Sequence, residues 1–408
     1  MNLFSPLTLH NGSTIPNRLA KAAMEENLAD ADHAPSEAII RLYEAWAKGG
    51  SGLILTGNVM VDRRAMTGPN GVILEDEQHL DRFRRWAQAG RSGGGQFWMQ
   101  INHPGRQMRT DLGQQAMAPS AVPLDMGALS KQFVQPRAMT EADITDVLHR
   151  FTRTAVLAQD SGFTGVQVHA AHGYLLSQFL SPLVNQRQDR WGGSLENRAR
   201  LLIDIVRAIR QAVSPHFAVS VKLNSADFQR GGFSQDDALQ VVRLLNEERI
   251  DLVELSGGSY EAPAMMGQAR DEKTLAREAY FLEFAKHIQG VARMPLMVTG
   301  GIRRKPVAEQ VLQEGIAMVG MATALAIEPA LPATWRRGEA DAPALKPIHW
   351  RNKVLASGAQ MAVIKHQLLQ LSRGRPTNPD VSPLLTFVAS QLRATRQASR
   401  YRRWMNDR

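Results

Sequence analysis

The feature that most constrains the fold of this chain is an alternation of short apolar segments with longer amphipathic ones, which runs from residue 18 to residue 324. Several of the short segments are almost continuously apolar, which is typical of parallel β-strands that are covered on both faces. Candidate strands span residues 18–24, 52–59, 96–103, 165–171, 217–224, 252–258, 295–301 and 317–324. Candidate helices between them span residues 36–48, 77–89, 141–159, 195–212, 236–248, 276–289 and 305–313, with Ser36 and Thr140 as N-caps.

Strands that alternate with helices in this way predict an α/β fold, a (β/α)8 TIM barrel with a C-terminal helical extension. A doubly wound open sheet is the alternative, but no GxGxxG motif follows the first strand, which argues against its dinucleotide-binding form. We predict that residues 1–340 form the barrel. Residues 341–408 form the extension, with helical stretches at 350–372 and 383–405, packed on the barrel or at the interface of a homodimer.

One segment interrupts the alternation. Residues 104–140 contain four prolines and show no helical period. A loop of this length is usually functional or contains a small added hairpin. Because it follows the third strand, we expect it to lie at the C-terminal mouth of the barrel, over the active site.

Composition excludes several classes of protein. The sequence contains no cysteine, so disulfides, thiolate zinc sites and cysteine-ligated iron–sulfur clusters are excluded. The first 18 residues, MNLFSPLTLHNGSTIPNR, lack the charged start and apolar run of a signal peptide, and no window of 18 residues is uncharged and apolar. We therefore expect a cytoplasmic protein without a membrane partner.

The positive charge is concentrated at the C-terminus. The net charge is +9, and residues 330–408 hold 14 Lys and Arg against 4 Asp and Glu. Such a segment could contact nucleic acid or a membrane surface, or it could be the solvated face of a terminal helix. No aromatic residues are interleaved with the charges in a nucleic-acid-binding pattern, which favours the solvated face and argues against a nucleic-acid partner.

The fourth predicted strand ends in HAAHGY, which brings His169, His172 and Tyr174 close together. The carboxyl ends of barrel strands carry the chemistry in folds of this kind. Two histidines three residues apart could bind a metal, but the neighbouring strand ends offer no carboxylate pair, so we predict no metal site. They could also be ordinary hydrogen-bonded histidines. Alternatively, both imidazoles donate to one substrate oxygen while Tyr174 supplies a proton to carbon.

Other strand ends carry further candidates. Gln100, at the end of the third strand, can donate to and accept from the edge of a heteroaromatic ring, although it could equally be structural. Lys222 lies among apolar neighbours on the fifth strand, so it needs an anionic partner. That partner is either Glu254 on the sixth strand or a cofactor that becomes anionic.

Two loops of small residues follow the last two predicted strands. The seventh strand leads into Gly300 and Gly301, and the eighth into Ala322 and Thr323. Loops at these positions of a barrel often bind phosphate through backbone N–H groups, and small side chains permit the close approach that this requires.

These residues also resemble a known family. The sequence HAAHGYLLSQFLSPLVNQRQDRWGGSLENR at 169–198 is similar to the signature of the old yellow enzyme family of FMN-dependent oxidoreductases. Residues 3–18, 100–107 and 300–302 resemble the family's N-terminal entry, the segment after its third strand and its phosphate region. The resemblance covers about residues 1–335, and the remainder looks like extensions seen in some bacterial NADH:flavin oxidoreductases.

The resemblance implies a noncovalent FMN that is reduced by NADH or NADPH, followed by hydride transfer to the β-carbon of an activated, electron-poor alkene. By position, His169 and His172 would bind the activating carbonyl or nitro oxygen, and Tyr174 would protonate the α-carbon. The residues implied for the cofactor are Ala23, Met24 and Asn58 along the flavin, Gln100 at its pyrimidine edge, Lys222 near N1 and O2, and Gly300, Gly301, Ala322 and Thr323 at the phosphate.

Four positions depart from the family pattern, and one of them, Ala23 in place of a usual proline, should change little. Lys222 and Thr323 stand where arginine is usual, so the first acts as a point charge and the second leaves phosphate binding to the backbone. Glu25 stands where threonine or cysteine is common, near the flavin O4 edge. It would disfavour an anionic reduced flavin unless it turns away or pairs with a cation. The natural acceptor could therefore be oxygen, a quinone or a nitro compound instead of an alkene.

Overall fold

The computed structural model describes residues 2–263, 278–279, 281–339, 342–343 and 346–407. Residues 276, 277 and 280 of one predicted helix lie outside the described residues, as does the predicted boundary between residues 340 and 341.

The strands form a closed parallel barrel. Numbered along the chain, they are β1 (Leu7–Thr8), β2 (Thr14–Ile15), β3 (Leu19–Lys21), β4 (Leu53–Leu55), β5 (Val59–Met60), β6 (Gln96–Asn102), β7 (Met117–Ala118), β8 (Arg137–Ala138), β9 (Gly165–Ala170), β10 (Ala218–Asn224), β11 (Leu252–Ser256), β12 (Leu296–Val298) and β13 (Met318–Met321). The barrel order is β3, β4, β6, β9, β10, β11, β12, β13, and β13 pairs with β3 to close the sheet. The predicted (β/α)8 barrel is therefore confirmed.

Helices follow the barrel strands and cover the sheet. They are α1 (Glu37–Lys48), α2 (Leu80–Arg91), α3 (Glu141–Asp160), α4 (Leu175–Leu180), α5 (Leu195–Ala212), α6 (Gln235–Leu245), α7 (Leu282–Gln289), α8 (Lys305–Gln313), α9 (Thr323–Ile327), α10 (Leu331–Arg336), α11 (Lys353–Ser372) and α12 (Pro383–Asn406). No helix in the described part of the chain is both long and apolar enough to cross a membrane.

Local sequence explains where these helices begin. Thr140 accepts from the N–H of Asp143, whose side chain in turn accepts from the N–H of Thr140, and this capping box starts α3. Ser36 caps α1 by accepting from the N–H of Ile39. The predicted strand at residues 317–324 is too long, because α9 begins at Thr323. A short run of buried apolar residues does not distinguish the end of a strand from the start of a helix.

The long segment after β6 contains more structure than the sequence predicts. It forms the two-stranded parallel pair of β7 and β8 and two 3₁₀ helices, Thr110–Leu112 and Gly127–Gln132. These 3₁₀ turns are too short to produce a visible helical period. Phe133 of this segment contacts Tyr260 of the loop after β11, with ring centroids 6.1 Å apart.

The two C-terminal helices pack against the barrel. Before α12 begins, Thr377 donates to the carbonyl of Ile327, at 2.7 Å. In α12 the Tyr401 hydroxyl donates to the carbonyl of Arg63 in the loop after β5, at 2.6 Å. The extension therefore reaches the mouth of the barrel, where β3 and β5 end.

Candidate active site

The turn between β9 and α4 brings the HAAHGY residues together. His172 and Gly173 both have a positive φ, 61° and 73°. A Cβ on Gly173 would lie 2.9 Å from the Cβ of Ser259, and its φ of 73° would strain any other residue, so glycine is favoured there. The backbone N–H of His172 donates to Asn224 at the end of β10, at 3.0 Å. The neighbouring strand therefore fixes the turn.

The two imidazoles lie side by side. The ring centroids of His169 and His172 are 5.0 Å apart, and the planes are inclined by 76°. Nδ1 of His169 accepts from the N–H of Ala171, which places the proton of the neutral ring on Nε2. Nε2 of His172 lies 2.7 Å from the hydroxyl of Ser256 on β11.

Both histidines are neutral at physiological pH. Burial, followed by the positive charge of Lys222, lowers the pKa of His169 well below its usual value. The same two causes act on His172, where His169 adds a further lowering. Each neutral ring has one N–H donor, which suits hydrogen bonding to a substrate oxygen.

Tyr174 lies beside His169, with ring centroids 4.9 Å apart and planes nearly perpendicular. Its hydroxyl is 3.1 Å from the hydroxyl of Tyr260. Burial, then the neighbouring Tyr260 and Glu25, raise the pKa of Tyr174 well above its usual range. The phenol is therefore protonated at neutral pH and can act as a proton donor.

The loop after β11 was missed by the sequence prediction. It supplies Tyr260, whose pKa is raised to about 12 by burial and by Glu25. Its next residue, Glu261, forms a buried ion pair with Arg106 at 2.6 Å. This pair ties the loop after β11 to the segment after β6. The only signal in the sequence was the GGSYE stretch directly after a predicted strand end.

A polar network crosses the barrel just below the histidines. Lys222 and Glu254 are register partners on β10 and β11, and their side chains form an ion pair at 2.8 Å. Gln167 donates to Glu254 at 2.9 Å and accepts from Gln100 at 2.7 Å. Neighbouring register positions of parallel strands point to the same side, so the strand pairing assembles this network. The structural partner considered for Lys222 is thus present.

Glu25 pairs with a cation from the C-terminal extension. Lys365 on α11 places Nζ 3.4 Å from the Glu25 carboxylate, which also accepts from the Thr67 hydroxyl. Burial raises the pKa of Glu25, but the charge of Lys365 and the neighbouring polar side chains of Thr67 and Asn27 outweigh it, so the pKa lies below its usual value. The sequence left open whether Glu25 turns away or pairs with a cation, and in the structure it pairs with a cation.

The other predicted cofactor residues lie at the same end of the barrel. Ala23 and Met24 follow β3, and the side-chain amide of Asn58 lies 3.4 Å from the Thr67 hydroxyl. Gly300 and Gly301 follow β12 with φ of 117° and 74°.

Backbone donors in the two small-residue loops are unused. The N–H groups of Gly300, Gly301, Ala322 and Thr323 make no hydrogen bond to the described part of the protein. Gly320, at the β13 end, is required by close packing, because a Cβ there would lie 2.4 Å from Thr299 Cγ2. Unused donors on two neighbouring strand ends suit an anionic group.

Among the residues that the structure describes, no group of His, Asp and Glu side chains could hold a metal ion. The structure is a (β/α)8 barrel in which two imidazoles and a phenol lie together at the carboxyl ends of the strands.

Residues 2–342 match the model of the NADH:flavin oxidoreductase / NADH oxidase family. The chain belongs to this family, the old yellow enzyme family of flavin oxidoreductases, as the resemblance predicted. The roles of the individual site residues stay predictions.

Two relatives and one solved structure illustrate this similarity. It is 38% identical over 351 residues to the NADH-dependent flavin oxidoreductase iliE of Hypocrea jecorina (strain QM6a), covering 81% of this chain and 87% of that protein. It is 39% identical over 357 residues to the protein of the same name from Neonectria sp. (strain DH2), but spans only 46% of that relative's length. The old yellow enzyme homologue from Zymomonas mobilis has the same fold, with a TM-score of 0.72 at 23% identity, covering 85% of this chain and 95% of that chain.

Proposed function

We propose that this protein is an FMN-dependent oxidoreductase that uses NADH or NADPH to reduce the activated C=C bond of an α,β-unsaturated carbonyl or nitro compound. The observation that carries the proposal is the grouping of two neutral imidazoles and a buried phenol at the end of β9 and on the turn that follows it. The similarity to proteins named NADH-dependent flavin oxidoreductases supports the nicotinamide donor.

The residues at the barrel mouth fit FMN. The unused N–H groups of Gly300, Gly301, Ala322 and Thr323 suit its phosphate. Lys222 offers a reduced flavin ring a point charge without the bidentate contact of arginine, and it shares that charge with Glu254, 2.8 Å from its Nζ. The side chains proposed to contact the ring are Ala23, Met24, Asn58 and Gln100. When bound, FMN supplies the hydride.

The histidines hold the substrate. His169 presents Nε2–H because its Nδ1 is already occupied by the Ala171 N–H. His172, with Nε2 accepting from the Ser256 hydroxyl, would present Nδ1–H as a second donor to that oxygen. Two neutral donors polarise a carbonyl or nitro group, and they stabilise the negative charge that develops on its oxygen as the β-carbon is reduced.

Tyr174 completes the reduction by donating its phenolic proton to the α-carbon. Its raised pKa keeps the proton in place until carbanion character develops at that carbon. The Tyr260 hydroxyl, 3.1 Å away, can donate a hydrogen bond to the phenolate that Tyr174 becomes.

The test is anaerobic reduction of the purified protein by NADH or NADPH, followed by mixing with a panel of enones, nitroalkenes and quinones. We expect a yellow protein that is bleached by the nicotinamide and reoxidised fastest by an enone or nitroalkene. Faster reoxidation by a quinone, a non-alkene nitro compound or oxygen would favour the alternative acceptors. A colourless protein that takes up no FMN would contradict both functions.

Tyr174→Phe tests the assignment of the proton donor. Loss of a positioned general acid costs about 10²- to 10⁴-fold in rate. We expect that loss in alkene reduction, with reduction of the protein by NADH largely unchanged. Equal loss in both half-reactions would show that Tyr174 has a structural role instead.

A further inference from the structure

Helices α11 and α12 enclose a cavity of about 310 Å³ against the loops that follow β3 and β5. On the barrel side this extension cavity is lined by Glu25 and Thr67, so it adjoins the candidate active site. Its outer wall mixes polar and charged side chains with small or apolar residues, namely Gly358, Met361, Ala362, Leu369, Ala389 and Ala394. These residues lie beyond residue 342, where the match to the family ends. The cavity is the size of a small-molecule site.

Most charged groups that line the extension cavity are neutralised within the protein. Lys365 pairs with Glu25, and Arg109 makes hydrogen bonds to both carboxylate oxygens of Asp111. Glu26 is held by the Tyr43 hydroxyl and the N–H of Gly57.

Arg393 is the exception. Its side chain is exposed at the rim of the cavity, and its guanidinium makes no hydrogen bond or ion pair with any residue that the structure describes. Partial burial against the cavity wall lowers the pKa of Arg393, and the positive charge of Arg373 lowers it further. Burial and these two arginines also lower the pKa of the neighbouring His366. One edge of the cavity therefore carries positive charge with no carboxylate to balance it.

We propose that the extension cavity binds the anionic end of a ligand, a carboxylate or phosphate held by Arg393, while the ligand's reactive end extends past Glu25 toward the candidate active site. This inference rests on the proposed function. A guanidinium makes paired, charge-assisted hydrogen bonds to carboxylate and phosphate oxygens. An anion there would also relieve the repulsion between Arg393 and Arg373.

The anion could come from either of two molecules that the proposed reaction uses. One is the nicotinamide donor, which carries a diphosphate. The other is an alkene acceptor with a carboxylate at the end remote from its double bond. Both present the same chemistry to Arg393, so experiments on the two half-reactions have to distinguish them.

Direct binding tests the site without relying on turnover. The probe is inorganic pyrophosphate, titrated calorimetrically into the purified full-length protein at low salt. We expect saturable binding that is weakened about tenfold or more in Arg393→Gln. Arg396→Gln is the matched control, since Arg396 lies on the same helix and is likewise exposed but does not line the cavity. Its binding should stay within about twofold of the unmodified protein, because an exposed charge away from the ligand has a weak effect. Absence of saturable binding, or equal weakening in both variants, would overturn the proposal.

Rapid mixing then identifies the source of the anion. If it is the donor, Arg393→Gln raises the apparent Kd for NADH in the reductive half-reaction. If it is the acceptor, the variant loses the preference of the reduced protein for 8-oxonon-6-enoate over its methyl ester. Unchanged values in both half-reactions would overturn the inference. Failure of NADH to reduce the bound flavin would contradict the proposed function and leave the pyrophosphate result standing.

Discussion

The ion pair between Glu25 and Lys365 predicts a measurable coupling between the barrel and its extension. The charged atoms are 3.4 Å apart. At that distance two unit charges attract by about 1 kcal/mol in water and by about 5 kcal/mol at an effective dielectric constant of about 20. Each side chain keeps 30% of its surface exposed, which places the expected value toward the lower limit. We expect a coupling energy of about 1 kcal/mol.

The assay is a double-mutant cycle of Glu25→Gln, Lys365→Met and both together, with the free energy of unfolding measured by urea denaturation at neutral pH. The pair Lys346–Asp380 is the control. Its charged atoms are closer, at 2.6 Å, but its side chains are 80% and 66% exposed, so we expect almost no coupling. Burial would then outweigh distance in deciding the strength of the pair.

The same cycle has a defined pH dependence. Although burial raises it, the pKa of Glu25 is lowered overall in the folded protein by Lys365 and its hydrogen bonds. A lowered carboxyl pKa contributes stability above the pKa of the unfolded chain, and this contribution is lost as the pH falls through the folded-state pKa. The coupling should therefore vanish in acid. A coupling of zero at neutral pH, or one that grows as the pH falls, would refute this reasoning.

Three further predictions follow from the site. Tyr260→Phe removes the hydroxyl that lies 3.1 Å from the Tyr174 hydroxyl, and it should slow alkene reduction about 2- to 10-fold without changing reduction of the protein by NADH. Tyr401→Phe is the control, because Tyr401 bonds to Arg63 outside the site, and it should change neither rate in rapid mixing. Burial and Lys222 lower the pKa of His169 well below its usual value, so this histidine stays neutral as the pH falls through about 6.5. The pH–rate profile for alkene reduction should therefore show no inflection there, and an inflection near that pH would contradict the neutral imidazole. Gly320→Ala places a Cβ 2.4 Å from Thr299 Cγ2 and should lower the free energy of unfolding, measured by urea denaturation, by about 1–3 kcal/mol. Adding Thr299→Ser removes that methyl group and should restore most of the lost stability.

Much of the barrel was predictable because parallel strands that are covered by helices leave a strong apolar pattern. Helices α5 and α8 have the predicted bounds, and α3 begins at the residue that follows the predicted cap Thr140. Once strand ends are placed in order, a closed barrel brings them to one mouth. His169, Gln100 and Lys222 could therefore be grouped without knowledge of a single distance.

The rest of the site depends on contacts that leave no local pattern. Tyr260 lies in an irregular loop, where no period of apolar residues shows which side chains turn inward. Lys365 is 340 residues away from Glu25 in sequence. Helix α11 has apolar residues on every face, so the sequence does not indicate which face meets the barrel. The unused N–H groups of the strand-end loops depend on backbone torsions, which small residues permit but do not dictate.

The position of Lys365 also bears on how this barrel could be recombined with those of its relatives. The match to the family stops at residue 342, which makes that position an obvious junction for a chimera. The contacts of the extension cross that junction, however, since Tyr401 bonds to Arg63 and Lys365 balances Glu25. A foreign C-terminus joined there would leave the carboxylate of Glu25 without its counter-ion at the edge of the candidate active site. A chimera that keeps these contacts therefore has to take the mouth loops and the extension from the same protein.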